Sequence, residues 1–118
     1  MWICTSTSFL SVVADRDNKD RLLVRARLKG HIESVFPNTV IFTKANSDYL
    51  YRSFIPRSEV AQVIAKQVEA ITYDNFKNSV KSKPYHDALL GFWQIMARLQ
   101  DHFDDRFMST KAMFKSHK

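Results

Sequence analysis

Glycine is nearly missing from this chain, with two among 118 residues, and there are three prolines and one cysteine. With only Gly30 and Gly91, no glycine-rich loop can bring backbone N–H groups onto a phosphate, which removes P-loop and dinucleotide-binding readings. No Gly-x-Ser-x-Gly elbow is present to expose a nucleophilic serine. A single cysteine forbids an internal disulfide framework. No apolar run approaches the roughly 20 residues that span a bilayer. The start, Met1-Trp2-Ile3-Cys4-Thr5-Ser6, lacks the basic region and apolar stretch of a secretory signal. These absences predict an intracellular, cytoplasmic protein with no membrane partner.

What the chain does contain is apolar and basic. Apolar residues make up 45% of it, too many for a disordered polymer. A chain of this size forms one core that buries about two-thirds of the surface its unfolded form exposes. Lys and Arg number 18 against 12 Asp and Glu. Residues 1–31 carry six basic and three acidic side chains, so half of the net +6 sits in the first quarter. An acidic partner, nucleic acid or an acidic protein face, is the expectation from that charge.

Two short apolar runs, 9–14 and 22–27, flank the polar stretch Asp15 to Arg21 and predict a β-hairpin with a mobile, charged loop. Leu22, Val24, Ala26 and Leu28 share one face by the period of two, leaving Arg25 and Arg27 on the other with Leu23. Leu28, Ile32, Val35 and Phe36 follow helical spacing, and Pro37-Asn38 closes that short helix. Segments 39–45 and 49–55 flank a turn at Ala45-Asn46-Ser47-Asp48 and predict a second hairpin. Ser58 is the expected N-cap of a helix whose stripe is Val60, Val63, Ile64, Val68 and Ile71. Asp74 can cap a short helix carrying Phe76 and Val80; Pro84 then opens a long amphipathic helix through Tyr85, Leu89, Phe92, Met96, Leu99 and Phe103 to about Asp105. The order β-β-α-β-β-α with short and long C-terminal helices predicts an α+β two-layer sandwich with a four-stranded antiparallel sheet. Residues 1–106 form one domain in this reading, and 107–118 a flexible basic tail.

Metal binding finds little footing, because Cys4, His31, His86, His102 and His117 are isolated and form no close ligand pairs. Cys4 falls in a first strand, where a free cysteine behaves as a small hydrophobe. Asp101, Asp104 and Asp105 near the helix end read as solvated acids, and Asp87 beside His86 as a first-turn acid that suits the helix N-terminus. An enzyme would have to rest on His86 with its neighbouring acids and on Cys4, so no catalytic residue and no cofactor is expected.

The candidate site is cationic. Arg25 and Arg27 share a strand face, Lys29 follows, Arg52 lies on a strand of the second hairpin, and Arg57 ends it. If the hairpins pair, one sheet face collects these side chains, with Tyr49 or Tyr51 placed for stacking, as in modules that hold single-stranded nucleic acid. The alternation, however, points Arg52 away from Tyr49 and Tyr51. Lys77, Lys81 and Lys83 form a second cluster before Pro84, suited to salt-sensitive phosphate contact without sequence reading.

The blocks Met1-Trp2-Ile3-x-Thr5-x-x-x-Phe9-x-Ser11-Val12-Val13 and Val24-Arg25-Ala26-Arg27-Leu28 resemble the opening of a group of small bacterial and mobile-element proteins. Tyr73-Asp74-x-Phe76-Lys77 and His86-Asp87 with Trp93 are similar to later blocks of that group. The resemblance implies a compact α+β fold and roles for Arg25, Arg27, Phe76 and His86, without an activity. The expectation is a non-catalytic module that binds nucleic acid or a nucleoprotein. The alternative is a phage or mobile-element inhibitor or accessory protein of the anti-CRISPR kind, acting by protein–protein binding. The broad apolar face of the long helix also allows a homodimer.

Overall fold

A computed structural model describes the backbone of residues 1–111 and the side chains of residues 1–104. It is an α+β protein with five antiparallel strands where the sequence predicts four. The strands are β1 (Trp2–Cys4), β2 (Phe9–Ala14), β3 (Arg21–Ala26), β4 (Phe42–Thr43) and β5 (Tyr51–Pro56), in the sheet order β1-β2-β3-β5-β4. Three helices follow: α1 (Arg57–Glu69), α2 (Phe76–Ser79) and α3 (Lys83–Lys111). The chain forms two compact units, Met1–Ser79 and Val80 onward. No helix among the described residues is long and apolar enough to cross a membrane.

The extra strand, β1, runs against β2 with Trp2 opposite Ser11 and Cys4 opposite Phe9. It is short because Thr5 turns the chain at once: the Thr5 Oγ1 accepts the Ser8 N–H at 3.0 Å, and the Thr5 N–H donates to the Ser8 carbonyl at 2.8 Å. The 9–14/22–27 hairpin forms in the register Ser11↔Arg25 to Ala14↔Leu22. Its loop is braced. Asp15 and Asn18 side chains accept the N–H groups of Asp17 and Asp20, at 3.1 and 2.9 Å, as short polar side chains do when they close turns.

Two expectations fail for local reasons. Residues 28–36 are a run of turns and not a helix. Gly30 sits at φ +92°, outside the helical region, and the bonds that follow it mix three- and four-residue spans. The apolar spacing still works, since Ile32, Val35 and Phe36 enter the core while Leu28 is 56% exposed. Strand β4 shrinks to two residues. There the Ser53 hydroxyl, itself beside Thr39 Oγ1, donates to the Val40 carbonyl at 2.8 Å, and this side-chain bond replaces ladder pairing ahead of Phe42.

Helix α1 starts one residue earlier than its expected cap, with Pro56 at the N-cap and no side-chain cap bond, so Ser58 lies inside the first turn. Val60 is buried and Val63 and Ile64 pack against the core, whereas Val68 and Ile71 are exposed. The stripe is thus used only in its first half. The core of the first unit is Leu10, Val12, Val24, Ala26, Ile32, Val35, Phe36, Ile55 and Val60, all on the α1 side of the sheet. In the second unit α3 runs to Lys111, past the expected end near Asp105. The remainder of the expected tail, 112–118, lies outside the described residues.

The charged hairpin loop carries a pH-dependent contribution. Arg21 donates to the Asp15 carboxylate at 2.5 Å, and that contact first, then the Asp17 N–H, holds the carboxyl below its usual 3.8. A carboxylate whose pKa falls on folding stabilises fully above its unfolded value, and the contribution is lost as pH falls through the folded value. Asp15→Asn is therefore expected to lower the melting temperature near about pH 6, the deficit shrinking as pH falls through and below the ordinary carboxylate range, in circular-dichroism melts across that range. A deficit independent of pH would show that the ion pair is not its source.

Candidate binding site

The period of two gives the sheet a second face, opposite the core, and the register decides what meets there. One row across it reads Trp2, Ser11, Arg25, Arg52 and Phe42. The next includes Val13, Leu23 and Phe54, and Arg21 follows one step beyond. Arg25 and Arg52 are thus directly opposite each other in neighbouring strands, an arrangement of like charges that destabilises a sheet unless something compensates it.

Neither arginine is compensated by an acid among the described residues. Arg25 donates from Nη2 to the Ser11 hydroxyl at 2.8 Å, and its buried Nε has no hydrogen-bond partner. Arg52, 8% exposed, donates from Nε to the Tyr49 carbonyl at 3.1 Å. The Tyr49 ring lies 4.6 Å from the Arg25 guanidinium and 4.4 Å from that of Arg27. Arg27 also donates to the Asp48 carbonyl at 2.9 Å. Cation–π stacking and backbone carbonyls hold the three side chains in place, but none of these contacts cancels their charge.

Sequence reasoning finds Arg25, Arg27 and Arg52, and the structure brings all three together around Tyr49. It corrects the stacking partners. Tyr49 is only 3% exposed and serves as the arginines' platform, while Tyr51 packs against the core on the other face. Besides Trp2, the exposed aromatics of the cationic face are Phe42 and Phe54, stacked at 5.4 Å, with the Arg21 guanidinium 4.1 Å from the Phe54 ring. Phe42 and Phe54 are 39% and 40% exposed. Sequence reasoning misses these three residues. Phe54 and Arg21 are legible as residues sharing a face with Arg52 and Arg25 at even spacing; Phe42 needs the β4–β5 register.

Of the other candidates, Lys29 continues the segment that carries Arg27, and the rest lie apart. Lys29 is exposed, two residues beyond Arg27. Arg57 begins α1, with its N–H on the Asp20 carbonyl at 2.8 Å and its Nε on the Lys19 carbonyl at 3.0 Å, away from the arginine row. Lys77 is on α2 in the first unit, and Lys81 and Lys83 belong to the second. Lys83 pairs with Asp87 at 3.1 Å and holds that carboxyl below its usual value. His86 Nδ1 lies 3.6 Å from Asp87. Burial pushes the Cys4 thiol up, away from the thiolate a nucleophile needs. No group of three His, Cys, Asp or Glu side chains among the described residues is arranged to hold a metal ion. Comparison of the chain with protein-family models, curated proteins and solved structures finds no match.

Proposed function

We propose that the protein is a non-catalytic module of the cytoplasm that engages nucleic acid through the arginine face of its sheet. In this reading the fold is two-layered, with α1 on one face and the partner on the other. The observation that carries it is the Arg25–Arg52 pair with Arg27 around one tyrosine and no carboxylate partner among the described residues. A polyanion that reaches the exposed Arg27 and the half-buried Arg25 supplies negative charge beside the buried Arg52, and the guanidinium fork suits phosphate oxygens. The Arg21–Phe54–Phe42 column favours a single strand, because its outer ring offers a base a surface to stack on without reading sequence.

The test is fluorescence anisotropy with a labelled single-stranded oligonucleotide and its duplex across a salt series. With Arg25, Arg27 and Lys29 each meeting a phosphate, the single strand is expected to show a log–log salt slope of about −2, or roughly twentyfold weaker binding at 200 mM than at 50 mM. Absence of saturable binding at 50 mM would reject the reading.

A protein partner is the second reading, and one observation favours it. Ile95, Met96, Leu99 and Phe103 of α3 are 45–55% exposed along one side of the helix. An inhibitor or accessory protein of the anti-CRISPR kind, or a homodimer through α3, would use that row. Capture of one protein by the wild type after nuclease treatment, together with loss of capture in Leu99→Glu, would favour it over nucleic acid.

A further inference from the structure

The opposed arginines of β3 and β5 carry more donors than their surroundings accept. Arg25 Nη2 is on the Ser11 hydroxyl, and Arg52 Nε is on the Tyr49 carbonyl. Among the described residues no acceptor meets Arg25 Nη1 or either Nη of Arg52. Arg25 Nε is the only buried side-chain nitrogen or oxygen among them without a partner, so the three Nη atoms reach solvent. Little of the pair is otherwise open, since Arg52 is buried and Arg25 half-buried, whereas Arg27 and Lys29 are exposed. The Tyr49 carbonyl and ring and the Ser11 hydroxyl, both residues buried, fix the two side chains before any ligand arrives.

We propose that the Arg25–Arg52 pair is a site for a phosphate dianion, supplied by the phosphorylated end of a single strand. The strand rests on the nucleic-acid reading above; the dianion rests on the pair alone. Charge selects the ligand. Two guanidiniums directly opposite each other with no carboxylate are balanced by one group of two negative charges, and a phosphomonoester comes close to that at neutral pH, with three acceptor oxygens for the arginine forks. A carboxylate brings a single charge and leaves one arginine unbalanced. Access selects the end of the strand. A phosphodiester carries one charge and a sugar on either side, while a terminal phosphate has bulk on one side only and suits a pair with so little exposed. The phosphates that follow it in the strand meet the exposed Arg27 and Lys29.

The test is fluorescence anisotropy at about 50 mM salt with an internally labelled oligothymidylate carrying a 5′ phosphate, a 3′ phosphate or neither. One phosphorylated form is expected to bind about tenfold more tightly than the unphosphorylated strand, and Arg25→Gln to remove that advantage. Equal binding of all three forms by the wild type would overturn the proposal and leave the nucleic-acid reading standing. An advantage that persists in Arg25→Gln would overturn it too, because the dianion would then sit elsewhere. Thermal melts in sodium phosphate against sodium chloride at matched ionic strength separate the two sources of the dianion, with Arg25→Gln reporting the general stabilisation that phosphate gives any protein. A larger rise in the wild type than in Arg25→Gln is expected. The same result with no strand binding would uphold the dianion site and reject the strand as its source; equal rises with no strand binding would overturn both.

Discussion

Arg27→Glu combined with Lys29→Glu is expected to weaken binding of a single-stranded oligonucleotide about sixtyfold at 50 mM salt. The magnitude follows from counterion release. Each phosphate contact to a single strand contributes about 0.7 to the salt slope, worth about eightfold between 1 M and 50 mM, so two lost contacts multiply to that figure. The slope itself is expected to fall from about −2 to about −0.7. Both side chains are exposed, so the variant tests charge without opening the core. Arg27 gives up its stack on Tyr49 and its bond to the Asp48 carbonyl, a local cost of about 1 kcal/mol that a thermal melt will register separately. Arg25→Glu is a poorer probe. It sets a carboxylate directly opposite Arg52, so it creates a new ion pair while removing a cation, and the two effects cannot be read apart. An unchanged salt slope in the Arg27/Lys29 variant would move the contact off this face, with Lys81 as the next exposed cation to replace.

About half of this face is legible in the amino-acid sequence. Alternation in a strand is a local property, so residues 22–27 announce one apolar face and one carrying Arg25, and β3 keeps that division. Register is a long-range property. That Arg25 meets Arg52, and that Phe42 continues the row, follows from how β3, β5 and β4 slide against one another, and no spacing within one strand encodes it. Tyr49 shows the same limit from the other side. It precedes β5, so strand alternation does not govern its ring, which turns in beneath Arg25 and Arg27. Helical spacing over 60–71 predicts the position of α1, but how much of its stripe is covered depends on what packs beneath it. Val68, and Ile71 just past the helix end, stay exposed.

Phe36→Ala is expected to cost about 3–5 kcal/mol, the usual penalty for emptying a buried phenylalanine site. Phe36 is 2% exposed and belongs to the core cluster with Leu10, Val24 and Ile55. It sits in a segment of turns, where surface loops ordinarily tolerate substitution. The spacing of Leu28, Ile32, Val35 and Phe36 predicts a helix because it would line one side of one; in the structure turns bury three of the four. Compact turns with Gly30 at positive φ bring Ile32, Val35 and Phe36 to the sheet without a continuous helical ladder. The core therefore depends on this segment as much as on α1, whose only buried residue is Val60. Typical domains hold about 5–15 kcal/mol in total, so a loss of this size is a large part of the whole. Urea titration followed by tryptophan fluorescence is expected to show the midpoint falling sharply in Phe36→Ala and little in Val68→Ala. Equal, small shifts in both variants would mean that the turn segment is peripheral and that strands and α1 alone hold the first unit together.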